Sequence, residues 1–277
     1  MKTSKSTLII LLVVFLSSCD KDPDEITYGN IRGAVKLSIN EISALEGATE
    51  IKSGERPWLW KMGWNGDNYD LVKYTYTWTL SDTNFVNVDM VITESDEQAL
   101  RYLTEKRETS SIPLHLLQPE DQPTIAGDIS FGHGRDFIRN NIVIEIHAEG
   151  IYNNRTEKLA QQIDKIIIKG PSFFSLSEIK PTIIDFQITE NPIVERTETL
   201  IDIEVKDPND KAIYYQWNFN TIIGLGGNVN QVNDNFYYEA NSTYTDVLTN
   251  EEELTVIAIN EFGFFTDSTI TITTIKE

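Results

Sequence analysis

Two strongly alternating stretches dominate the hydrophobic and polar pattern of the chain. In residues 74–80 (YTYTWTL) and in residues 213–219 (IYYQWNF), aromatic and aliphatic side chains alternate with polar ones. This period of two is that of a β-strand with one face in a core and one in water, which is typical of antiparallel sheets. Trp78 and Trp217 at the centres are large enough to span the gap between packed sheets. The pattern predicts two β-sandwiches, each built around its Trp.

Shorter alternating segments extend the β pattern over most of the chain, and we expect an all-β fold. In the first half, Ser95 followed by Asp96-Glu97-Gln98 forms a capping box and predicts a short helix to about Arg107. Polar, Gly-rich residues 119–141 predict a long loop, and residues 224–235 predict a Gly/Asn loop in the second half. The other predicted strands span residues 33–40, 58–62, 85–93, 112–116, 142–148, 181–189, 201–205, 254–258 and 269–275.

The two halves align as an internal repeat in which the first copy carries insertions. Residues 58–62 of the first copy correspond to residues 201–205 of the second, and residues 144–148 correspond to residues 254–258. The helix and the long loop are the insertions. We therefore expect the same sandwich architecture twice.

Three motifs of the second copy follow one another in the order of a known module. An Asp207-Pro208-Asn209-Asp210 turn precedes the aromatic-x-Trp strand around Trp217, and an Asn260-Glu261-Phe262-Gly263 turn precedes a Thr/Ile strand. Residues 181–276 thereby resemble the bacterial immunoglobulin-like modules of the polycystic-kidney-disease (PKD) repeat type. The resemblance implies a sandwich that serves as a spacer, stalk or binding platform, and the fold by itself names no function. The first copy departs from the pattern through its insertions.

The first residues of the chain have the pattern of a bacterial export and lipidation signal. Two lysines precede an unbroken apolar run, residues 8–16, that is too short to span a bilayer. Residues 16–19 (LSSC) resemble the bacterial lipobox, which implies that Cys19 is lipidated and becomes the new N-terminus. Residues 20–25 (DKDPDE) resemble the export signal of Bacteroidetes surface lipoproteins, which implies exposure on the outer membrane. The alternatives are an ordinary signal peptide with a chance cysteine, and a solvated spacer.

These observations divide the chain into segments. We expect two tandem immunoglobulin-like β-sandwiches after a lipoprotein signal peptide, the first with a short helix and a long loop inserted. The expected segments are a signal peptide (1–18), a lipidated acidic tether (19–26), a first sandwich with insertions (27–170), a linker (171–180) and a second, PKD-type sandwich (181–277).

Composition and motif content exclude several classes of function. The net charge of −20 argues against nucleic acid, since phosphate binding needs clustered Lys and Arg. The single cysteine allows no intrachain disulfide. The chain contains no Gly-x-Ser-x-Gly, phosphate-loop or His-Glu-x-x-His motif, and we expect no enzyme and no catalytic residues. A carboxylate pair for glycoside hydrolysis stays open as an alternative, because its members meet only in the fold.

One turn of the first copy has the residue types of a carbohydrate-binding site. Flat aromatic rings stack on sugar faces, while neighbouring Asn and Asp side chains bind hydroxyl groups. Trp58 and Trp60 align with core positions of the second copy, so we expect them to be structural. The candidate ligand-binding residues are Trp64, Asn65, Asp67 and Tyr69.

Two sets of residues have the chemistry of metal ligands. Asp207, Asn209 and Asp210 present the hard oxygens that calcium prefers, although Asp and Asn also cap such turns without metal. Glu145, His147 and Glu149 share one strand face, which is alternatively a solvated face. We expect no other cofactor.

Two functions therefore compete. The first is a non-catalytic surface lipoprotein that binds extracellular polysaccharide for nutrient uptake. It would be similar to the accessory glycan-binding lipoproteins of Bacteroidetes starch-type uptake systems, with an outer-membrane transporter or lipoprotein complex as partner. The second is a structural or adhesive lipoprotein that acts through protein–protein contacts in an outer-membrane complex. Both place the chain on the outer membrane through its lipid anchor.

Overall fold

The computed structural model of the chain describes residues 31–54, 57–64, 67–109, 124–221, 227–241 and 248–276. For residues 58–64, 67–70, 107–109, 133 and 221 it describes the backbone alone. Within this part of the chain the structure is mostly β, with several antiparallel sheets and two α-helices. The predicted predominance of β-strands is therefore confirmed. Cys19 and the predicted strand at residues 112–116 lie outside the described residues.

We refer to residues 31–180 as the N-terminal part and to residues 181–276 as the C-terminal part. The N-terminal part contains β1 (Ile31–Arg32), β2 (Thr49–Ser53), β3 (Trp58–Trp64), β4 (Asp67–Ser81), β5 (Asn84–Ile92), α1 (Asp96–Thr109), β6 (Ile129–Phe131), β7 (Asp136–Arg139), β8 (Ile142–Ala148), α2 (Thr156–Lys169) and β9 (Ser172–Phe173). The C-terminal part contains β10 (Thr182–Ile188), β11 (Ile193–Val194), β12 (Glu198–Lys206), β13 (Ile213–Thr221), β14 (Asn228–Val232), β15 (Asn235–Glu239), β16 (Thr249–Asn260) and β17 (Phe265–Ile275).

The N-terminal part is organised around one seven-stranded antiparallel sheet. Its strand order is β2-β4-β5-β8-β7-β6, and β3 pairs with the first half of the long strand β4. One face packs against α2 and the irregular residues 33–48, and the other packs against α1. The sequence predicts two facing sheets for residues 27–170. Among the described residues, helices occupy both faces of the seven-stranded sheet instead, and β1 and β9 form a separate two-stranded sheet.

Helix α2 is a correction to the sequence interpretation, which assigned no helix here. Leu159, Ala160, Ile163 and Ile167 recur at three- and four-residue spacing and are all buried against the sheet. This spacing is the signature of an amphipathic helix. Helix α1, by contrast, begins as predicted, because the Ser95 hydroxyl accepts the N–H of Gln98 at 3.1 Å.

Three further segments differ from their predictions. Residues 119–141 are predicted to form a loop, yet they contain β6 and β7. These two strands are too short to show an alternating hydrophobic pattern. Residues 33–40 form no strand; they are irregular and lead into a 3-10 helix, Ile39–Glu41. Residues 224–235 include the edge strand β14. The sequence does not predict this strand, because Asn is uncommon in strands.

The C-terminal part consists of two four-stranded sheets packed face to face. Their orders are β10-β12-β15-β14 and β11-β17-β16-β13, with β11 parallel to β17 and all other pairs antiparallel. Both sheets contribute side chains to one core. These side chains come from the alternating apolar positions that the sequence predicts. Its buried members are Phe186, Ile193, Ile201, Tyr238, Ala240, Leu254, Val256 and Ile272.

The two parts are joined by a shared core and a buried amide. Ile257, Ile259 and Phe264 of the C-terminal part pack into the core of the N-terminal part. The Asn260 side chain donates to the Ile179 carbonyl (2.5 Å) and to Asp207 Oδ2 (2.8 Å). Its Oδ1 accepts two backbone N–H groups of the β16–β17 turn, both at 3.1 Å. Asn260 therefore ties the linker to two turns of the C-terminal part.

Candidate ligand-binding cleft

The backbone brings two of the predicted sugar-binding residues together at the end of a hairpin. Trp64 is the last residue of β3 and pairs directly with Asp67, the first residue of β4. Tyr69 pairs with Met62 further along the same hairpin, and Asn65 lies outside the described residues. A sugar site made by these side chains stays a prediction.

A different site opens along β13, in the C-terminal part. A cleft of about 390 Å³ lies between this strand, the first residues of β14 and one residue of the N-terminal part. The sequence interpretation missed it because it assigned Tyr215 and Trp217 to the core. The lining residues are Pro57, Tyr214, Tyr215, Gln216, Trp217, Phe219, Asn228, Val229, Asn230 and Ile259.

The position of β13 in the sandwich explains why its aromatic residues reach a cleft. Strand β13 is the last strand of its sheet, and β14 is the last strand of the facing sheet. The edges of the two sheets therefore leave a gap beside Trp217, which is only partly buried. The sequence predicts that Trp217 is buried at the centre of the core. This prediction is wrong, because Trp217 is only partly buried.

The cleft aromatics are held in place by one another. The rings of Tyr215 and Trp217 stack with centroids 6.3 Å apart and planes 20° apart. Phe236 supports both rings from behind, with centroid distances of 5.1 Å to Tyr215 and 5.2 Å to Trp217. Rings braced in this way lose little conformational freedom when a ligand binds, which favours affinity.

The polar side-chain groups of the cleft are amides and tyrosine hydroxyls, and none of its described lining residues carries a charge. Asn228 and Asn230 are exposed on β14 and border the cleft, while Val229 between them pairs with buried Tyr238. The Asn230 amide donates to the carboxylates of Glu198 and Glu239, each at 3.4 Å. These contacts orient the side chain while keeping both carboxylates out of the lining. The cleft thus offers flat apolar surfaces and hydrogen-bonding groups without charge.

The wall formed by β14 is fixed by the residue that precedes it. The Gly227 N–H donates to both oxygens of Glu252, at 3.1 and 3.3 Å. A Cβ at Gly227 would come within 2.4 Å of the Tyr238 ring, so only glycine fits there. Burial raises the pKa of Glu252, and the hydrogen bond from Gly227 lowers it by less. Glu252 therefore positions the start of β14.

The carboxylate proposed as a calcium ligand is occupied by protein donors. Asp207 Oδ1 accepts the N–H groups of Asn209 (2.8 Å) and Lys211 (3.0 Å), and Oδ2 accepts the Asn260 amide. Asp210 adopts a positive φ of 54°, as Asp tolerates in turns. Nowhere in the described part of the chain do three His, Cys, Asp or Glu side chains form a group suited to a metal. The contacts account for the turn as a structural element, and calcium binding stays a prediction.

Another cleft, of about 470 Å³, lies beside α1; several charged residues line it, among them Glu145, and His147 lines it too. Glu145 is largely buried beneath the helix and pairs with Lys106 at 2.5 Å. Burial raises the pKa of Glu145, and Lys106 opposes the shift. His147 is 64% exposed and lies 3.6 Å from Glu149. The Lys106–Glu145 pair joins α1 to the sheet, which gives this cluster a structural role.

No protein-family model matches the chain, and no curated protein matches it. Among the described residues, no helix combines the length and the apolar composition needed to cross a membrane.

Proposed function

We propose that the protein is a non-catalytic cell-surface lipoprotein that binds extracellular polysaccharide for a nutrient-uptake system. The observation that carries the proposal is the uncharged cleft along β13, which is lined by the aromatic rings of this strand and bordered by Asn228 and Asn230. Aromatic rings bind the apolar faces of sugars, and amides donate to and accept from hydroxyl groups. Ligand sites in general combine an apolar lining with a few well-placed polar groups.

The proposed location on the outer membrane rests on the sequence of the N-terminus. The apolar run at residues 8–16 and the lipobox-like residues 16–19 support lipidation at Cys19. The acidic residues 20–25 support exposure on the outer membrane. An anchored protein at that surface meets polysaccharide before the transporter does. Cys19→Ala is expected to prevent lipidation and release the chain from the membrane fraction, and unchanged fractionation and N-terminal mass would contradict this location.

The strand order of the C-terminal part supports an immunoglobulin-like fold for residues 181–277. In immunoglobulin domains, strands A, B, E and D form one sheet and strands C, F and G form the other, with a Trp on strand C. The chain order of β10 and β12–β17 gives the same two groups, and Trp217 lies on the strand in position C. For residues 27–170, the repeated sequence pattern supports the same fold, whereas the single sheet between two helices weighs against it.

Binding by variant chains tests the proposed site. Migration of the purified full-length protein, in detergent, is compared in native gels with and without soluble polysaccharide. Retardation is expected for the wild type and is expected to be lost in Trp217→Ala and Asn228→Ala. Asn218→Ala is a matched control, because Asn218 lies on β13 outside the lining residues. If no polysaccharide retards the wild type while it co-purifies with an outer-membrane complex, the structural or adhesive role replaces this proposal.

A further inference from the structure

We infer that the β13 cleft selects an uncharged, linear polysaccharide and binds an internal stretch of its chain rather than a single sugar. This inference rests on the proposed function and adds the ligand class. Two independent observations carry it: the distribution of charge around the cleft and the arrangement of its aromatic rings.

The charge around the cleft disfavours acidic polymers. The chain has 43 acidic and 23 basic residues, yet the described cleft lining contains neither kind. Glu198 and Glu239 lie directly behind Asn230, and buried Glu252 lies behind Gly227. A uronate or sulfate group in the cleft would lose hydration, meet no Lys or Arg, and face this negative field. An uncharged sugar chain has no charge that must be desolvated in the cleft, and the surrounding carboxylates do not repel it.

The arrangement of rings favours a chain over a single sugar. Tyr215, Trp217 and Phe219 occupy alternate positions of one strand, so they form a row with a repeat of roughly 7 Å. The planes of the first two rings are nearly parallel, at 20°, so the row is regular over these two positions. A site for one sugar would close rings around it from several sides. A row offers successive stacking positions to successive sugars.

Residues outside the row of rings also line the cleft. Asn228 and Asn230 of β14 are among them. Pro57 lines it as well, so the N-terminal part contributes to the cleft. Contacts between the two parts hold these residues in place, including the hydrogen bond from the Tyr74 hydroxyl to the Glu261 carbonyl at 2.9 Å. The cleft is thus formed before the ligand arrives, which favours affinity.

Calorimetry with the full-length protein in detergent tests both features. The probes are a soluble β-glucan, a galactomannan and amylose as uncharged polymers, polygalacturonate as the acidic one, and gluco-oligosaccharides of increasing length. At least one uncharged polymer is expected to bind with the same affinity at low and high salt, while polygalacturonate does not bind. Affinity is expected to rise with oligosaccharide length, and Phe219→Ala is expected to lower polymer affinity about tenfold.

A variant that adds a positive charge to the lining keeps the test independent of folding. Asn228 is exposed, so Asn228→Lys is expected to fold and to gain affinity for polygalacturonate, whereas Asn218→Lys, outside the lining, is not. Equal or tighter binding of polygalacturonate by the wild type would overturn the charge selectivity. Affinity for glucose equal to that for the longest oligosaccharide would overturn the chain-binding mode. Failure to bind any uncharged polymer would overturn this inference together with the proposed function.

Discussion

The same aromatic pair occurs in both parts of the molecule and has different surroundings in each. Tyr76 and Trp78 stack on β4 with centroids 5.6 Å apart, and Tyr215 and Trp217 stack on β13 at 6.3 Å. Trp78 is fully buried, because β4 has β2 on one side and β5 on the other. Trp217 is partly exposed, because β13 ends its sheet. The neighbouring strands decide whether the pair is fully buried in a core or lines a cleft.

Truncating the two tryptophans is expected to give the largest and most unequal effects on stability. Trp78→Ala removes a ring with no exposed surface and is expected to lower the free energy of unfolding by about 3–5 kcal/mol. Trp217→Ala is expected to lower it by about 1–2 kcal/mol, since its ring buries less area. Urea unfolding followed by circular dichroism measures both. Equal losses would mean that Trp217 is as much a core residue as Trp78.

The junction between the two parts is expected to show the next largest effect. Asn260→Ala removes the partner of the Ile179 carbonyl, of Asp207 and of two backbone N–H groups, and unsatisfied buried groups are costly. We expect a loss of about 3 kcal/mol in urea unfolding. Asn250→Ala, at the opposite end of β16, is the matched control and should change stability little. A loss no larger than that of the control would show that Asn260 does not join the parts.

The sequence predicts strands with a long, regular period well and misses elements whose pattern is short or mixed. Strands β4, β8, β12, β13 and β16 are all predicted from alternation, because each places alternate apolar side chains in a core, and β8 is buried on its other face as well. Helix α2 was missed although its apolar spacing was present in the sequence. Strand β14 was missed because exposed Asn residues on an edge strand carry no apolar period.

The candidate site was less predictable than the fold. An alternating stretch shows that Tyr215 and Trp217 share a face, but only the sheet order shows that this face reaches an open edge. Asn228 and Asn230 come from another strand, and Pro57 comes from the other part of the chain. Such long-range neighbours leave no local signal. The Asp207 turn was recognised, and its partner Asn260 could not be inferred from spacing.

The smallest expected effect concerns the acid that supports the β14 wall. Burial raises the pKa of Glu252 above its ordinary value of 4.5, so its charged form is less favourable in the folded than in the unfolded chain. This destabilisation is absent below the ordinary pKa and fully present above the raised one. Glu252→Gln keeps an acceptor for Gly227 and is therefore expected to be more stable than the wild type at pH 8. Urea unfolding at pH 4 is expected to show that this difference has disappeared, and a pH-independent difference would contradict the assignment.

The most direct test of the account is fluorine NMR of the full-length protein labelled with fluorotryptophan. The variants Trp78→Phe and Trp217→Phe assign the resonances of Trp78 and Trp217. A soluble uncharged polysaccharide is then added to the wild type. The account predicts that the Trp217 resonance shifts on addition, because its ring lines the cleft, while the buried Trp78 resonance stays in place. A Trp217 resonance that does not move with a polysaccharide the protein demonstrably binds would contradict the assignment of the β13 cleft as the binding site.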